Sequence, residues 1–537
     1  MRQHRALDND DVLHLIFEQF SASPDHGRAN WASSEKANDF FMKESIRMRA
    51  LAGSARVCKS FHEPAVDVLW KHLSSLEDLM QLMYVPMPPR QYDQFYSRWI
   101  LKFDLSPDRA ARFLHYSRRV RSIRYSLEPT QVLEPPSVYD YLAAQNHGAP
   151  LLPLLEDCCW KQVVTVDSGL LTLVSPSLHR LNIRFTTARQ GEIGGDASLQ
   201  EGKDAVMSLL HKLCAKAPFI RTLELSGDFE SSWIEPITKL RQLQILDIAH
   251  HSQDITSTSL LHSLAELEDL HEFRLQISGA QRLERGGRRF HALRSLAVQA
   301  DDLSDISPFV AALSSPRYQE TVVISLNSCD FSSILHYASW SSKVGARGDG
   351  IADQPLIDIL EPLTHLHDLT TVHLSFASDL LPFSMSDLEM RTMVEAWPKA
   401  TELSLIYKAA GGFPSIHALS DIARLCPLLT TLILPGIDLS ALSELTTFPT
   451  SSHGLRYLGI GDNGWESPVA DPARLAQFLD CLFPRLEVEL HLADGWGELV
   501  PENWKSALES MIGLQSSRKQ HAPSSGAADF DTVVHDV

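Results

Sequence analysis

Nowhere in this sequence does an Asn-x-Ser/Thr glycosylation triplet occur. No apolar run approaches the ~18 residues of a membrane span, and the opening MRQHRALDNDD has no apolar signal core. Cysteine is sparse: Cys58, Cys158, Cys159, Cys214, Cys329, Cys426 and Cys481 are an odd seven in 537 residues, without framework spacing. That pattern argues against a disulfide scaffold and predicts reduced, mostly buried thiols. These absences together point to a cytoplasmic or nuclear protein without a membrane partner. Positive charge is also short, with 48 Lys and Arg against 67 Asp and Glu for a net charge of -19. Such a balance disfavours a surface that tracks nucleic-acid phosphates.

Catalytic signatures are equally scarce. There is no G-x-S-x-G and no P-loop. His62-Glu63 lacks the second histidine of a zinc helix, and His250-His251 and His365-x-His367 have no Cys or carboxylate at metal spacing. Cys158-Cys159-Trp160 are adjacent, so their side chains diverge, and no base is placed beside them. The strongest enzyme-like signal is Gly459-x-Gly461-x-x-Gly464 after the strand-like LRYLGI. A dinucleotide fingerprint needs its last glycine to open a helix, whereas here Trp465-Glu466-Ser467-Pro468 intervenes and the next helix starts near Asp471. A repeat turn explains the glycines better, and no cofactor, metal or catalytic residue is expected.

What is present is ordinary globular material, 44% hydrophobic and 21% charged, in a chain longer than one compact core usually supports. In ALDNDDVLHLIFEQF, Val12, Leu13, Ile16, Phe17 and Phe20 fall at helical spacing behind an Asp-rich start suited to an N-cap. A second helical pattern runs through KESIRMRALAGSARVCKSF, with Ile46, Leu51, Ala55 and Cys58 as its apolar stripe. A third covers EPAVDVLWKHL, with Pro64 placed in its first turn.

Beyond them one layout recurs. SPSLHRLNI, APFIRTLEL, WPKATELSL and CPLLTTLIL each set a proline five residues before the anchoring leucine of an L-x-L: Pro176 to Leu181, Pro218 to Leu223, Pro398 to Leu403, Pro427 to Leu432. Taking Leu181, Leu223, Leu246, Phe273, Leu296, Ile324, Val372, Leu403, Leu432, Leu458 and Val488 as anchors, most gaps fall at roughly 23 to 31 residues, the leucine-rich-repeat range. The gaps of about 42 and 48 after Leu181 and Ile324 require insertions. Proline ends each helix and feeds an extended strand, and L-x-L turns alternate side chains inward. One strand and one helix cannot bury that face alone, so neighbouring repeats must stack.

The expected fold is therefore α/β: a short three-helix module over 1–75, a linker and capping region over 76–160, and a solenoid over 161–512. The solenoid is read as a curved parallel sheet with outer helices and an insertion near 330–360, and 513–537 reads as a disordered tail.

The two N-terminal stretches LDNDDVLHLIFEQF and LAGSARVCKSFHEPAVDVLWKHL resemble the F-box. Leu7, Val12, Leu13, Ile16, Phe17 and Phe20 match its first half. Leu51, Val57, Cys58, Lys59, Phe61, Pro64, Ala65, Leu69 and Trp70 match the second. Beyond them, SPDRAARFLHYSRRVRSIRYS from Ser106, MSDLEMRTMVEAWPKATELSL and LCPLLTTLIL resemble the linker and repeat region of fungal F-box proteins with leucine-rich repeats. The resemblance implies docking on a Skp1-like adaptor of a cullin-RING ubiquitin ligase through Leu7, Val12, Leu13, Ile16, Phe17, Leu51, Val57, Cys58, Phe61, Pro64, Leu69 and Trp70. It implies a non-catalytic subunit that holds an unknown target on the strand-lined face. There the polar positions are Asn182, Arg184, Glu224, Ser226, Asp247, Arg274, Gln276, Gln299, Ser325, His373 and Ser375. The alternative is a repeat scaffold unconnected with ubiquitination.

Overall fold

A computed structural model of the 537-residue chain describes residues 9–21, 45–73, 76–80, 82, 84–86, 99–101, 107–124, 143–163, 169–186, 196–227, 229–250, 258–277, 290, 292–300, 321–326, 354–376, 383–407, 412–460, 469–488 and 502–521. Leu7, Cys329 and most of the 330–360 insertion lie outside them. The chain divides into two compact units, Met1–His271 and Glu272–Val537.

The first unit opens with three helices. Helix α1 is Asp10–Glu18, and its N-cap is Asn9, whose Oδ1 accepts from the Asp11 and Val12 amides. Asp10 and Asp11 then sit in the first turn, where the helix dipole favours them. Helix α2 covers 45–54 and stops there, earlier than the sequence pattern implied, in a turn over 55–57. Helix α3 is Lys59–Lys71, with Cys58 as its extended N-cap. Pro64 is accordingly the sixth helical residue, not a first-turn residue. Its missing N–H removes one helical hydrogen bond, and burial of Pro64 with Ala65, Val66 and Val68 offsets that loss.

A parallel array follows. Strand β1 (His72–Leu73) comes directly off α3, and β2 (Tyr84–Pro86) pairs antiparallel with β3 (Trp99–Leu101). Strands β4 (Ser122–Arg124), β5 (Asp157–Val163), β6 (Arg180–Thr186), β7 (Thr222–Gly227) and β8 (Ile245–His250) extend the first unit's sheet, every neighbour parallel from β1 through β4 to β8. The sheet thus begins at residue 72, inside what the sequence suggested was module and capping region. Its first strands, HL, SIR and DCCWKQV, lack the Pro-to-leucine signature that marks the later ones.

The second unit contributes β9 (Glu272–Ile277), β10 (Ser295–Ala300), β11 (Thr321–Leu326), β13 (Thr371–Phe376), β15 (Glu402–Tyr407), β16 (Thr431–Leu434) and β17 (Tyr457–Ile460), again parallel in sequence order. A short parallel pair, β12 (Gln354–Pro355) with β14 (Phe383–Ser384), lies apart from it. Ten of the proposed anchors, Leu181 to Leu458, lie in strands, and the eleventh does not: β17 is the last strand of the sheet among the described residues. Val488 is buried but carries a helical backbone, although the Glu487 amide still donates to Arg456 O at 2.8 Å, a bond of the kind Arg456 makes to Thr430 O and Thr430 to Thr401 O as their strands begin.

The proline rule has a structural cause. Helices Asp387–Ala396, Ile416–Leu425 and Pro472–Leu482 end at Trp397, Cys426 and Phe483, each immediately before proline and each out of the α region at ψ 60, 68 and 69. That turn drives the pre-proline side chain into the core. There Trp397 Nε1 donates to Leu363 O at 3.1 Å and Cys426 Sγ to Val394 O at 3.4 Å. Both acceptors lie in the last turn of the preceding repeat's helix, where each also accepts one backbone amide, Leu366 N–H at Leu363 O and Trp397 N–H at Val394 O. In the next repeat His453, with Nδ1 accepting from the Leu455 amide, offers Nε2–H to Cys426 O at 2.8 Å.

The C-terminal helix Glu502–His521 runs through the region expected to be disordered from 513. Trp504, Ala507, Leu508 and Met511 are buried, Gln515 Nε2 donates to Leu486 O at 2.9 Å, and Arg518 pairs with Asp480 of helix Pro472–Leu482. The helix therefore continues as far as it has a partner along that edge. No helix among the described residues is long and apolar enough to cross a membrane.

Candidate functional site

Two surfaces of the first unit and one of the second bear on function. On the N-terminal module, the residues matched to the F-box divide by burial. Leu13, Phe17, Leu51, Ala65 and Val68 form a closed cluster with Phe61 and Leu69 packed against it, and Phe17 meets Phe61 edge-on at 5.5 Å between centroids. Pro64 is buried as well. Val12 and Cys58 are half-buried. Ile16 (44% exposed) and Val57 (69%) remain on the surface. Two apolar neighbours outside that docking set join them there: Leu15 at 68% and Phe20 at 41%, the latter one turn from Ile16. Helical spacing alone does not separate the inward Leu13 and Phe17 from the outward Leu15 and Ile16, since the deciding face is the one that α3 covers.

Trp70, half-buried, stacks on Tyr116 of helix Pro107–Ser117 with centroids 4.6 Å apart. Charge also clasps α3 to the turn that follows that helix. Arg119 pairs with Glu63 at 2.6 Å and with Asp67, and Asp67 also meets His14 of α1 at 3.2 Å. The hydrogen bond from Arg119 holds the Glu63 carboxyl below its usual range. Lys71 pairs with Glu18. The end of α3 is thus fixed against both α1 and the following helix.

On the strand face the alternation is clean. In β6, Leu181, Ile183 and Phe185 are buried while Asn182 and Arg184 are not, and Leu223/Glu224 and Leu246/Asp247 repeat the pattern. Register brings Cys159, Asn182, Glu224 and Asp247 into one row, and Lys161, Arg184, Ser226 and Ala249 into the next. Asn182 Nδ2 donates to Glu224 Oε2 at 2.6 Å.

In the second unit Arg274 aligns with Ala297, Gln276 with Gln299, Gln299 with Ser325, Val323 with His373, and Ser325 with Ser375. Arg274 pairs with Glu272 at 2.5 Å and His373 with Glu402 at 3.3 Å. The predicted face residues are therefore brought together as rows within each unit. The sequence reading passed over the contribution of Ile406, Ile433 and Tyr457 to the exposed face of β15 to β17. Their L-x-L neighbours gave the signal, because residues between anchors must face outward.

The buried thiols of Cys158, Cys214 and Cys426 are all pushed up by desolvation, Cys214 to about 11 and Cys426 to about 12. Cys158 and Cys159 diverge to opposite faces of β5. Gly459 lies within β17 and the rest of its motif lies outside the described residues; helix Pro472–Leu482 is capped by Asp471. Among the described residues no three His, Cys, Asp or Glu gather as a metal site.

No family model matches this chain, and no curated protein matches it. Among solved structures it is similar to the leucine-rich repeat-containing protein LegL7 from Legionella pneumophila, at 12% identity over 62% of this chain and 82% of that one, with a TM-score of 0.30. A protein from Bacteroides fragilis shows 15% identity over 64% and 86%, with a TM-score of 0.25. The repeat architecture rests on the chain's own strand registers rather than on either match.

Proposed function

We propose that this chain is a non-catalytic adaptor whose N-terminal helices dock on a Skp1-like subunit of a cullin-RING ubiquitin ligase while its strand-lined repeats hold a target protein. One observation carries the docking half: Leu15 and Ile16 on α1, with Phe20 in the turn after it, leave large apolar side chains in solvent although the module's own core is already closed. Neighbouring exposed apolar groups of this kind mark interaction surfaces. The parallel repeats, several of which present polar side chains between buried anchors, support the target-binding half.

The test is capture of purified Skp1 by the full-length chain. Binding lost on combined Leu15→Ala, Ile16→Ala and Phe20→Ala substitution, with the fold retained, supports the reading. No capture by the folded wild type ends it. A second reading, a repeat scaffold outside ubiquitination, is favoured by one finding. Leu13, Phe17, Leu51 and Pro64 of the matched set are buried within the module itself, and Trp70 is stacked on Tyr116.

A further inference from the structure

Three successive turns of the first unit, those leading into β5, β6 and β7, stand side by side because their strands are consecutive neighbours in the sheet. Together they present Leu154 (38% exposed), Pro176, Pro218 and Phe219 (44%) to solvent. Neighbouring strands lie roughly 4.8 Å apart, so two strand spacings, about 10 Å, separate Leu154 from Phe219. The turn between them adds no free side-chain polar group, since Ser177 Oγ donates to Pro153 O at 2.8 Å. The fold itself does not require an apolar residue there: the equivalent turn position holds Gln242 before β8 and Lys399 before β15. The flanking charge is basic in a chain of net charge -19. Lys212 and Lys216, one turn apart at the end of helix Asp196–Lys216, precede Phe219, and Arg221 follows it, all three exposed. Lys216 Nζ donates to Leu171 O at 2.8 Å, and among the described residues none of the three cations pairs with a carboxylate. Glu156 on the same ridge already faces Arg121 at 3.5 Å, and the next acidic turn, Glu268–Asp269, lies two repeats beyond Phe219.

We infer that this turn ridge binds an acidic protein segment that lays a large aliphatic or aromatic side chain against Phe219 and Leu154 and sets carboxylates against Arg221 and Lys216. Neighbouring exposed apolar groups rimmed by charge mark interaction sites, where a single scattered one would not. The charge names the partner. A chain of this net charge repels acidic segments at long range, so one that docks must meet a local reversal of sign. At physiological salt the cations within about 8 Å of the contact outweigh more distant carboxylates. Such pairing steers and selects the partner, while burial of the apolar side chains supplies affinity. The ridge includes neither the strand face nor the helices that dock the adaptor, so the inference stands apart from both halves of the proposed function.

The experiment pans a phage-displayed library of short random peptides on the full-length chain and, in parallel, on its Phe219→Ser variant. Peptides enriched by the wild type and lost on the variant should carry a large apolar residue beside two or more carboxylates. A synthetic copy should lose roughly tenfold in affinity on Phe219→Ser, and a similar factor on Arg221→Glu. Its binding should weaken as salt rises, and exchanging its acid for lysine should restore binding to Arg221→Glu. Both substitutions should leave the melting temperature unchanged. A fall of several degrees on Phe219→Ser would assign that side chain to packing and overturn the inference. A selection that yields only peptides without acids, or only peptides bound equally by Phe219→Ser, would overturn it, as would no enrichment at all. None of these outcomes bears on capture of Skp1.

Discussion

Truncating Leu13 and, separately, Leu15 to alanine distinguishes the packing of the N-terminal module from its surface. Leu13 is 1% exposed and Leu15 is 68% exposed, two positions apart on the same helix. Deleting a buried leucine side chain costs about 2–5 kcal/mol through lost transfer energy and the cavity left behind. An exposed site costs within about 0.5 kcal/mol. Unfolding of a chain with two compact units need not be two-state, so the local readout is amide hydrogen exchange of α1 and α3 by mass spectrometry in the intact protein. A loss of about 3 kcal/mol accelerates exchange through local opening by roughly 100-fold, against about twofold for Leu15→Ala. Leu13→Ala combined with Phe17→Ala should fall short of the sum, because both belong to one cluster. Equal protection in the two single variants, or greater loss in Leu15→Ala, would refute the assignment of inward and outward faces. It would also remove the argument that Leu15 and Ile16 are free to dock.

Other outcomes follow from the same geometry. Gly227 has φ 111, and a Cβ there would lie 1.9 Å from Phe185 O, so Gly227→Ala should cost more than about 2 kcal/mol and expose the β6 and β7 amides to exchange. Trp397→Phe removes one of the two donors to Leu363 O and should weaken helix Leu356–Thr364 by about 0.5–1.5 kcal/mol, read as faster exchange in that helix. Thiol labelling of the native chain should modify the half-exposed Cys58, Cys159 and Cys481 well before Cys158, Cys214 and Cys426. The raised pKa values keep those last three protonated through neutral pH, and urea should release them. Glu63 titrates below its ordinary value when folded, so its contribution is present above the unfolded carboxylate range and is lost as pH falls through the lower folded value. Glu63→Gln should flatten that acid-side decline in melting temperature.

The repeat was legible because its signals are local. Proline excludes the preceding residue from the α region whatever surrounds it, and L-x-L fixes which side chains face inward, so ten of eleven anchors could be placed by counting. Val488 has a helical backbone instead, although the Glu487 amide beside it still reaches Arg456 O; the residues that follow lie outside the described ones. Strands β1, β4 and β5 were missed because short or unremarkable segments become strands when a register is already waiting for them. The polar residues of the candidate face were visible as the positions between anchors. Their alignment into rows was not, since Asn182, Glu224 and Asp247 become neighbours only through the register.

By itself, then, the sequence determined the period of the array, the inward face of its repeats, the helical character of the N-terminus and the scarcity of catalytic motifs. Each of these follows from backbone stereochemistry or composition within a few residues. Tertiary structure alone decided that Leu13 and Phe17 turn inward while Leu15 and Ile16 stay in solvent, and that Trp70 is engaged by Tyr116. It also decided that Trp397 and Cys426 add hydrogen bonds to the helix ends of the preceding repeats, and that the C-terminal helix continues to His521. Those outcomes depend on which surface covers each side chain, and the covering residues come from distant parts of the chain.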